Sequence, residues 1–485
     1  MATKPKIAVL GAGMGGLTMA ALLHRSGADV TVYEQAKAFA RVGAGIQMSP
    51  NALRVLRALD LEEHIRRVAF QPRSWRNRTW DTGEMQFELP LGAEAEERYG
   101  APYLLGHRAD LHAALLSRVP PERIVLDKRL TDLSQSENGV TMAFADGTSA
   151  AANILIATDG LHSRAREILF GAGEPRFTGN VAYRAVFQAA RLGGLVLDDN
   201  CKWWGPDRHI VIYYVNPRKD ELYFVTSVPD PEWKLDSWSA MGNLSDLRAA
   251  FEGFHPDVTR VLDACPSVHK WALADRDPMP RWSAGRIMLM GDAAHPMTPT
   301  MAQGAAQSLE DAMIMARCLA RFGFEDVASA FRTFEAHRRA RAAQIQVTSH
   351  RNVWMRGRTD GGWLYDYDAC SAPLDAAAPD AAEELASGRC KPAPQHECKG
   401  RRRDTGRQQA DGSCLRHELP VHNARRQRAG GRGAHIPKNA KPTALHIDTG
   451  EPADGVADAQ HEYDAEEVHA LASGLPARVI VQRSG

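Results

Sequence analysis

Apolar and polar positions in the first 160 residues follow the periods of alternating strands and helices. The apolar run KIAVL at residues 6–10 leads into glycines, and small and apolar side chains then recur at helical spacing. A second apolar run, DVTVY, begins at Asp29. A strand, a helix and a strand in this order predict a βαβ unit with parallel strands and a right-handed crossover.

Later segments extend this pattern and then interrupt it. Helical spacing recurs at residues 50–67 and 108–118, and alternating strands occupy residues 123–160. Residues 174–270 are mostly strands. The segment GRIMLMGD is again typical of a buried strand in a parallel sheet, and a long amphipathic helix is predicted over residues 324–355. The pattern predicts an α/β fold, in which an antiparallel sheet is inserted between two parts of a nucleotide-binding domain.

The predicted domains follow from these changes of pattern. They are residues 1–173 (nucleotide-binding domain, first part), 174–272 (antiparallel sheet), 273–370 (nucleotide-binding domain, second part) and 371–485 (low-complexity tail).

The tail differs from the rest of the chain in composition. Every tryptophan and phenylalanine precedes residue 364, and Tyr463 is the only aromatic residue after residue 375. Such a segment buries too little apolar surface to offset ~1–2 kcal/mol of backbone entropy per residue, so we expect disorder. A nucleic-acid arm or a zinc site is the alternative. The zinc ligands would come from Cys390, His396, Cys398, Cys414 and His417. The tail has no C-x-x-C pair and carries an acidic block, which favours an extension without function.

Composition and charge narrow the possible functions. The chain is 44% apolar and 24% charged, which is typical of globular proteins. Lys+Arg and Asp+Glu both number 59, so no net charge favours nucleic acid or a membrane surface. No apolar run reaches the ~20 residues of a spanning helix. No secretory leader is evident, and seven widely spaced cysteines suit a reduced, cytoplasmic protein.

The motif Gly11-x-Gly13-x-x-Gly16 lies between the first strand and the first helix. Gly11 permits a tight turn, Gly13 lets the backbone approach a pyrophosphate, and Gly16 lets the helix pack close to the strand. The helix N-terminus adds amide donors and a positive dipole end. Glu34 ends the second strand, where a carboxylate accepts hydrogen bonds from a ribose diol. These features predict a dinucleotide site and by themselves fit NAD or FAD.

Two further motifs favour a flavin. Asp159-Gly160 follows an apolar strand, and Gly291-Asp292 ends another before a proline-containing loop and a helix. An aspartate at such a strand end can accept a hydrogen bond from a ribityl hydroxyl. The backbone amides of residues 303–305, at the start of the new helix, can face the anionic edge of a reduced flavin. The three motifs in this order therefore indicate FAD.

This combination resembles the class A FAD-dependent aromatic hydroxylase family, over residues 5 to about 370. The segments RVGAGIQMSPNALRVL, HRADLHAAL and GPDRHIVIYY fit the same family. The resemblance implies a Rossmann-like FAD-binding domain with an inserted antiparallel-sheet substrate domain, as in 4-hydroxybenzoate hydroxylase, and no second Rossmann domain for the nicotinamide. It also implies FAD contacts from Gly15, Glu34, Gln35, Arg108, Leu130, Asp159, Asp292 and Ala305.

The resemblance further implies the reaction. NADH, in preference to NADPH, would reduce FAD, and a flavin C4a-hydroperoxide formed with O2 would transfer oxygen to an electron-rich ring. The segment KWWGPDRHIVIYY is most similar to 6-hydroxynicotinate and salicylate hydroxylases, although Gln47 and Thr300 stand where the former have histidines. We expect a small hydroxylated aromatic or pyridine carboxylate such as 6-hydroxynicotinate, with or without decarboxylation, and a monomer or homodimer. Salicylate 1-hydroxylation, or flavin binding without monooxygenase turnover, is the alternative.

The candidate catalytic residues are Tyr213, His209 and Gln47. A phenolate ring accepts oxygen more readily than a phenol, so the ring oxygen needs a proton acceptor or a hydrogen-bond partner. His209 and Tyr213 are four residues apart in a predicted strand, which places both on one face. Gln47 is a hydrogen-bonding candidate in the same pocket. Ordinary sheet packing is the alternative for His209 and Tyr213, and no metal ligand is predicted.

Overall fold

The structure is a computed structural model that describes residues 4–40, 43–171, 173–233 and 240–374. The described residues form nineteen strands: β1 (Lys6–Leu10), β2 (Asp29–Tyr33), β3 (Gly45–Met48), β4 (Ser74–Thr79), β5 (Met85–Pro90), β6 (Leu104–His107), β7 (Ile124–Val125), β8 (Leu130–Gln135), β9 (Val140–Phe144), β10 (Ser149–Ala152), β11 (Ile154–Ala157), β12 (Arg176–Gln188), β13 (Asn200–Trp204), β14 (His209–Tyr214), β15 (Glu221–Pro229), β16 (Met241–Gly242), β17 (Val268–Asp275), β18 (Ser283–Ala284) and β19 (Ile287–Leu289).

The same residues form eleven α-helices: α1 (Met14–Arg25), α2 (Pro50–Ala58), α3 (Glu62–Val68), α4 (Ala93–Tyr99), α5 (Arg108–Leu116), α6 (Arg164–Phe170), α7 (Leu244–Ala250), α8 (Pro256–Ala264), α9 (Gly304–Phe322), α10 (Val327–Arg351) and α11 (Gly362–Tyr365). Single turns of 3-10 helix cover Pro121–Arg123, Ala189–Leu192, Gly291–Ala293 and Pro299–Met301. None of the helices in this described part is both long and apolar enough to cross a membrane.

A six-stranded sheet contains the predicted βαβ unit. Its order is β18-β19-β11-β1-β2-β7, and every neighbouring pair is parallel except β18–β19. The central strand β1 is buried after its first residue, because helices and loops cover both faces. Helix α1 packs against α9. This arrangement confirms the Rossmann-like prediction and brings the ends of β1, β11 and β19 to one edge.

An eight-stranded sheet forms the second layer, in the order β16-β17-β12-β15-β14-β13-β4-β5. Adjacent strands of this sheet are antiparallel, except that β13 and β4 are parallel. The antiparallel sheet is therefore present as expected, and β4 and β5 join it from outside residues 174–272. The sequence did not indicate these strands, because β4 contains alternating arginines, and Arg76 and Arg78 are neutralised by Asp198 only in the folded chain. The domain limits themselves stay predictions.

The predicted helices are present with changed ends. The expected helix over residues 50–67 is divided between α2 and α3, because Asp60 has a φ of +57° that no helix accommodates. The long helix is α10. Chain packing continues to Leu374, whose carbonyl accepts a hydrogen bond from Arg321. The predicted tail, with its possible zinc ligands, lies outside the described residues from residue 375 onward.

Candidate active site

The glycine motif lies at the carboxyl end of β1. A Cβ on Gly16 would lie 1.9 Å from the Gly11 carbonyl oxygen, and a Cβ on Gly11 would lie 2.6 Å from the Thr158 carbonyl oxygen. A Cβ on Gly15 would press against Ser308 of α9 at 3.1 Å. A Cβ on Gly13, in contrast, would meet nothing within 4 Å. Packing therefore requires glycine at residues 11 and 16, whereas Gly13 leaves open space beside the backbone.

Donors and acceptors for a dinucleotide surround this loop. Helix α1 begins after Gly13 with no side chain capping its first turn, so backbone amides there are available to an anion. The Glu34 carboxylate accepts hydrogen bonds from the amides of Ala12 at 2.7 Å and Ala36 at 2.8 Å. Gln35 beside it is exposed. The structure thus brings Glu34 to the glycine loop, as the sequence spacing predicted.

Asp159 follows β11 at the same edge of the sheet. Its carboxylate accepts hydrogen bonds from the Ser163 hydroxyl at 2.6 Å and the Ala165 amide at 3.1 Å. Burial raises the pKa of Asp159, and the Ser163 hydrogen bond acts in the opposite direction. Leu130, at the start of β8, is buried in the core beneath this sheet. The hydrogen bonds of the Asp159 carboxylate thus hold the loop before α6 and the first turn of that helix, a role that the sequence motif did not indicate.

Asp292 follows β19, and the charge of Arg108, the first residue of α5, acts on its carboxyl. Surrounding protein raises the pKa of the Asp292 carboxyl, while His295 and Arg108 lower it. Burial likewise lowers the pKa of Arg108, and Asp292 raises it. Ala305 lies in the first turn of α9, which also begins without a capping side chain. The open side of Gly13, two helix starts without capping side chains, and the charges of Asp292 and Arg108 fit a flavin dinucleotide.

A buried ion network supports the loop between β19 and α9. Asp311 accepts hydrogen bonds from the Gly291 amide at 2.9 Å and from Arg338 at 2.8 Å, and its Oδ2 lies 2.5 Å from His295 Nε2. Arg338 also pairs with Glu310 at 2.5 Å. Burial alone would raise the pKa of Asp311, yet His295 and Arg338 outweigh it and lower that pKa to about 2. These charges are fully paired, which fixes the loop that carries Asp292.

A second group of polar side chains lies on one face of the eight-stranded sheet. Tyr213 of β14 is buried, and Gln47 of β3 forms a hydrogen bond with its hydroxyl. The Tyr103 hydroxyl donates to Gln47 Oε1 at 2.5 Å. Burial raises the pKa of Tyr213 well above its usual value, with the Gln47 hydrogen bond acting in the opposite direction. The structure therefore brings Gln47 and Tyr213 together, and it adds Tyr103, for which the sequence offered no motif.

His209 begins the same strand and lies on the same face as Tyr213. Its ring packs against Trp204 at 5.2 Å between centroids, and its Nδ1 lies 3.4 Å from Asn352 Nδ2. Burial, followed by the charges of Lys202 and Arg356, lowers the pKa of His209 well below its usual value. His209 is therefore a neutral imidazole near pH 7.

The two groups of residues adjoin through the β3–β6 pair. The Arg108 amide donates to the Ala44 carbonyl at 2.9 Å, and the next residue, Gly45, touches Tyr213. A Cβ on Gly45 would lie 2.6 Å from the Tyr213 hydroxyl and 2.5 Å from the Tyr223 ring. The face of the eight-stranded sheet that carries Tyr213 is thus connected to Arg108 through Gly45 and Ala44.

Three further polar residues lie on this face, and no sequence motif indicated them. Asn77 of β4 and Asn200 and Lys202 of β13 share the face with His209 and Tyr213. Each has a buried nitrogen without a hydrogen-bond partner among the described residues. The alternation in NCKWW placed Asn200, Lys202 and Trp204 on one face, and this was the signal available from sequence. No group of three or more metal-ligating side chains occurs in the described part of the chain.

Comparisons with known proteins agree with this geometry. The profile of the family "FAD binding domain" matches residues 4–349. A 6-hydroxynicotinate 3-monooxygenase from Bordetella bronchiseptica is 44% identical over 375 residues, which cover 77% of this chain and 98% of that protein. A 3-hydroxybenzoate 6-hydroxylase from Klebsiella oxytoca is 34% identical over 394 residues, covering 76% and 98%.

Solved structures show the same fold. A salicylate hydroxylase substrate complex superimposes with a TM-score of 0.67 at 26% identity, covering 76% of this chain and 97% of that one. The structure of Klebsiella pneumoniae HpxO complexed with FAD and uric acid gives 0.64 at 26% identity, covering 79% and 95%. The chain therefore belongs to the FAD binding domain family and is an FAD-dependent monooxygenase.

Proposed function

We propose that this FAD-dependent monooxygenase uses NADH and O2 to hydroxylate a small hydroxylated aromatic or pyridine carboxylate of the 6-hydroxynicotinate type. The observation that carries the proposal is the face that carries Tyr213 and His209, with Gln47 beside Tyr213. This face is connected to Arg108 through Gly45 and Ala44. The identity of 44% with 6-hydroxynicotinate 3-monooxygenases over nearly their whole length supports the substrate class.

The proposed FAD site follows the residues at the edge of the six-stranded sheet. The diphosphate would lie on the open side of Gly13 and accept hydrogen bonds from the first turn of α1. Glu34 would accept a hydrogen bond from the ribose, and Arg108 and Asp292 would contact the diphosphate and ribityl region. Gln35, Leu130 and Ala305 complete the proposed contacts. When bound, FAD takes electrons from NADH and activates O2 for oxygen transfer.

The residues on the substrate side would set the protonation of the ring. Because burial keeps Tyr213 protonated, its hydroxyl would donate a hydrogen bond to the ring oxygen and stabilise the negative charge of a phenolate. Gln47 would hold the Tyr213 hydroxyl in place. His209 is neutral and lies towards the opposite end of the face, where its imidazole would form a hydrogen bond with the substrate. The burial of all three side chains excludes water from the reacting ring.

Salicylate hydroxylation is a second candidate, which one observation favours. Gln47 and Thr300 replace the two histidines expected for a 6-hydroxynicotinate enzyme, and the Thr300 hydroxyl donates to the Ser349 carbonyl at 2.6 Å. Thr300 is thus engaged by the protein, which leaves fewer ligands for a ring nitrogen.

The test measures NADH oxidation by the FAD-loaded protein with 6-hydroxynicotinate, salicylate and 3-hydroxybenzoate under ¹⁸O2. We expect 6-hydroxynicotinate to give the largest stimulation and a product that carries one ¹⁸O atom. Stimulation by salicylate alone would favour the second candidate. NADH oxidation that no aromatic carboxylate stimulates would overturn the proposal.

A further inference from the structure

Lys202 is buried on the face that carries His209 and Tyr213, and it forms no ion pair with any residue that the structure describes. Lys202 is only 1% exposed, and its Nζ has no hydrogen-bond partner among the residues the structure describes. The Nζ lies 3.8 Å from the centre of the Trp204 ring, which is on the same strand. A buried ammonium group is costly unless an anion or hydrogen bonds compensate it, so this position calls for a partner from outside the chain.

The surroundings of Lys202 would attract an anion. The side-chain nitrogens of Asn77 and Asn200, on the flanking positions of the same face, also have no hydrogen-bond partner in the described structure. Arg356 lies on the Trp204 ring as well, with its Cζ 5.6 Å from the centroid. Burial, and then the charge of Arg356, lowers the pKa of Lys202 to about 7. The charged group that acts on Lys202 is therefore another cation, Arg356. The nearby side-chain nitrogens of Asn77 and Asn200 have no acceptor among the described residues.

We propose that Lys202 binds the carboxylate of the substrate and so makes this site selective for aromatic carboxylates. This inference rests on the proposed function and extends it to a residue that no motif indicated. Lys202 is paired with Val211, halfway between His209 and Tyr213. Those two residues are separated by four steps of ~3.3 Å, roughly 13 Å in all. The face thus has the cationic Lys202 and the neutral His209 towards one end, and the phenol of Tyr213 with Gln47 at the other.

This arrangement assigns one end of the ligand to each end of the face. A substrate that carries a carboxylate at one position and a hydroxyl at another would place the carboxylate at Lys202 and the ring oxygen at Tyr213. The two ends together would select for ligands that have both groups, because each group alone leaves one end of the face unsatisfied.

The test compares Lys202→Met with Lys270→Met in the FAD-loaded protein. Lys270 is the matched control, because it is a buried lysine of the same sheet whose ammonium pairs with Asp230 at 2.7 Å. Calorimetry measures the binding of 6-hydroxynicotinate, salicylate and 3-hydroxybenzoate, and of 2-hydroxypyridine and phenol, which lack the carboxylate. A thermal scan of the ligand-free holoenzyme measures stability.

We expect Lys202→Met to weaken binding of the tightest carboxylate about 10- to 100-fold, since a charge-assisted hydrogen bond is lost. The binding of 2-hydroxypyridine and phenol, which lack the carboxylate, should change little. The Tm should rise in Lys202→Met, because an uncompensated charge is removed, and fall in Lys270→Met, because a buried pair is broken. A purely structural lysine would lower the Tm in both variants.

Three outcomes would overturn the proposal: unchanged carboxylate affinity in Lys202→Met, an equal loss for ligands with and without the carboxylate, or a wild-type holoenzyme that binds none of the carboxylates. Binding is measured without turnover, so its result is separate from that of the proposed function. A holoenzyme that binds carboxylates through Lys202 and does not hydroxylate them would contradict only the proposed function.

Discussion

The two sides of the site treat their buried charges differently. On the FAD side, Asp311 is paired with His295 and Arg338, and Glu310 is paired with Arg338. On the substrate side, Lys202 has no hydrogen-bond partner among the described residues. Buried charges that are paired hold a loop in one conformation, whereas an uncompensated charge lowers stability. The proposed FAD side is thus rigid, and the proposed substrate side has side-chain donors without partners among the described residues.

This difference has a chemical reason. A cofactor that stays bound can be held by backbone amides and a loop whose charges are already satisfied within the protein. A substrate must enter and leave, so the groups that recognise it have to change partners in each cycle. Such positions lower the stability of the free protein, because polar groups without partners are the ones that give affinity and selectivity for a substrate.

The largest effect is expected from a substitution in the glycine loop on the FAD side. In Gly16→Ala the new Cβ would overlap the Gly11 carbonyl, 1.9 Å away, and we expect loss of both FAD and the native fold. Gly13→Ala is the control, since its φ of −74° suits alanine and its Cβ meets nothing. That variant should keep the Tm of the apoprotein and bind FAD more weakly. The measurements are flavin content and thermal midpoint. If Gly13→Ala retained FAD at wild-type affinity, the diphosphate would not lie at this residue.

On the substrate side, Tyr213→Phe should keep FAD and slow product formation by roughly 10²–10⁴-fold, because the donor to the ring oxygen is lost. Reduced flavin would then release H2O2, so the ratio of hydroxylated product to NADH consumed should fall. Tyr214→Phe is the control, because Tyr214 lies on the opposite face of the same strand. Unchanged coupling in Tyr213→Phe would transfer the role to His209 or Gln47.

Lowering the pH should destabilise the protein through the buried Asp311 carboxylate of the FAD side. The pKa of Asp311 is lowered from 3.8 to about 2, so the ionised carboxylate contributes stability that is complete above about pH 4 and is lost as the pH falls towards 2. This part amounts to about 2 kcal/mol, at 1.36 kcal/mol for each pKa unit. Denaturant unfolding between pH 2 and 5 would measure it.

Two substitutions sharpen this comparison. Asp311→Asn should remove the acid-dependent part and lower stability at pH 7, because His295 and Arg338 lose their partner. Asn200→Leu, which replaces a buried amide without partners in the described structure, should leave stability unchanged or raise it. If both substitutions destabilised the protein equally, the contrast between the two sides would be wrong.

The smallest expected effect concerns the chain after Leu374. Ending the chain there should leave flavin content and Tm within error, since the composition of the tail does not support a core. The control ends after Asp366, which removes the Tyr367 and Ala369 carbonyls that Arg54 and Arg317 bind, and should lower the Tm. A lower Tm after truncation at Leu374 would show that the tail contributes to the body.

Local spacing determined the parts of the molecule that depend on neighbouring residues. The glycine motif, the strand before it and Glu34 were predicted because turn, strand and helix each have a short period in sequence. The same period placed His209 and Tyr213 on one face, which the structure confirms. The order of the three motifs indicated FAD, which the family match supports.

Only the tertiary structure decided what lies opposite these residues. Gln47 reaches Tyr213, and β4 pairs with β13, across more than a hundred residues of chain, and such contacts follow from packing and not from local periodicity. That Lys202 has no hydrogen-bond partner in the described structure could not be predicted either, since a lysine in an alternating strand is usually solvated or paired. The sequence states which groups share a face, and the fold determines which of them find partners, because burial and charge depend on every element packed against that face.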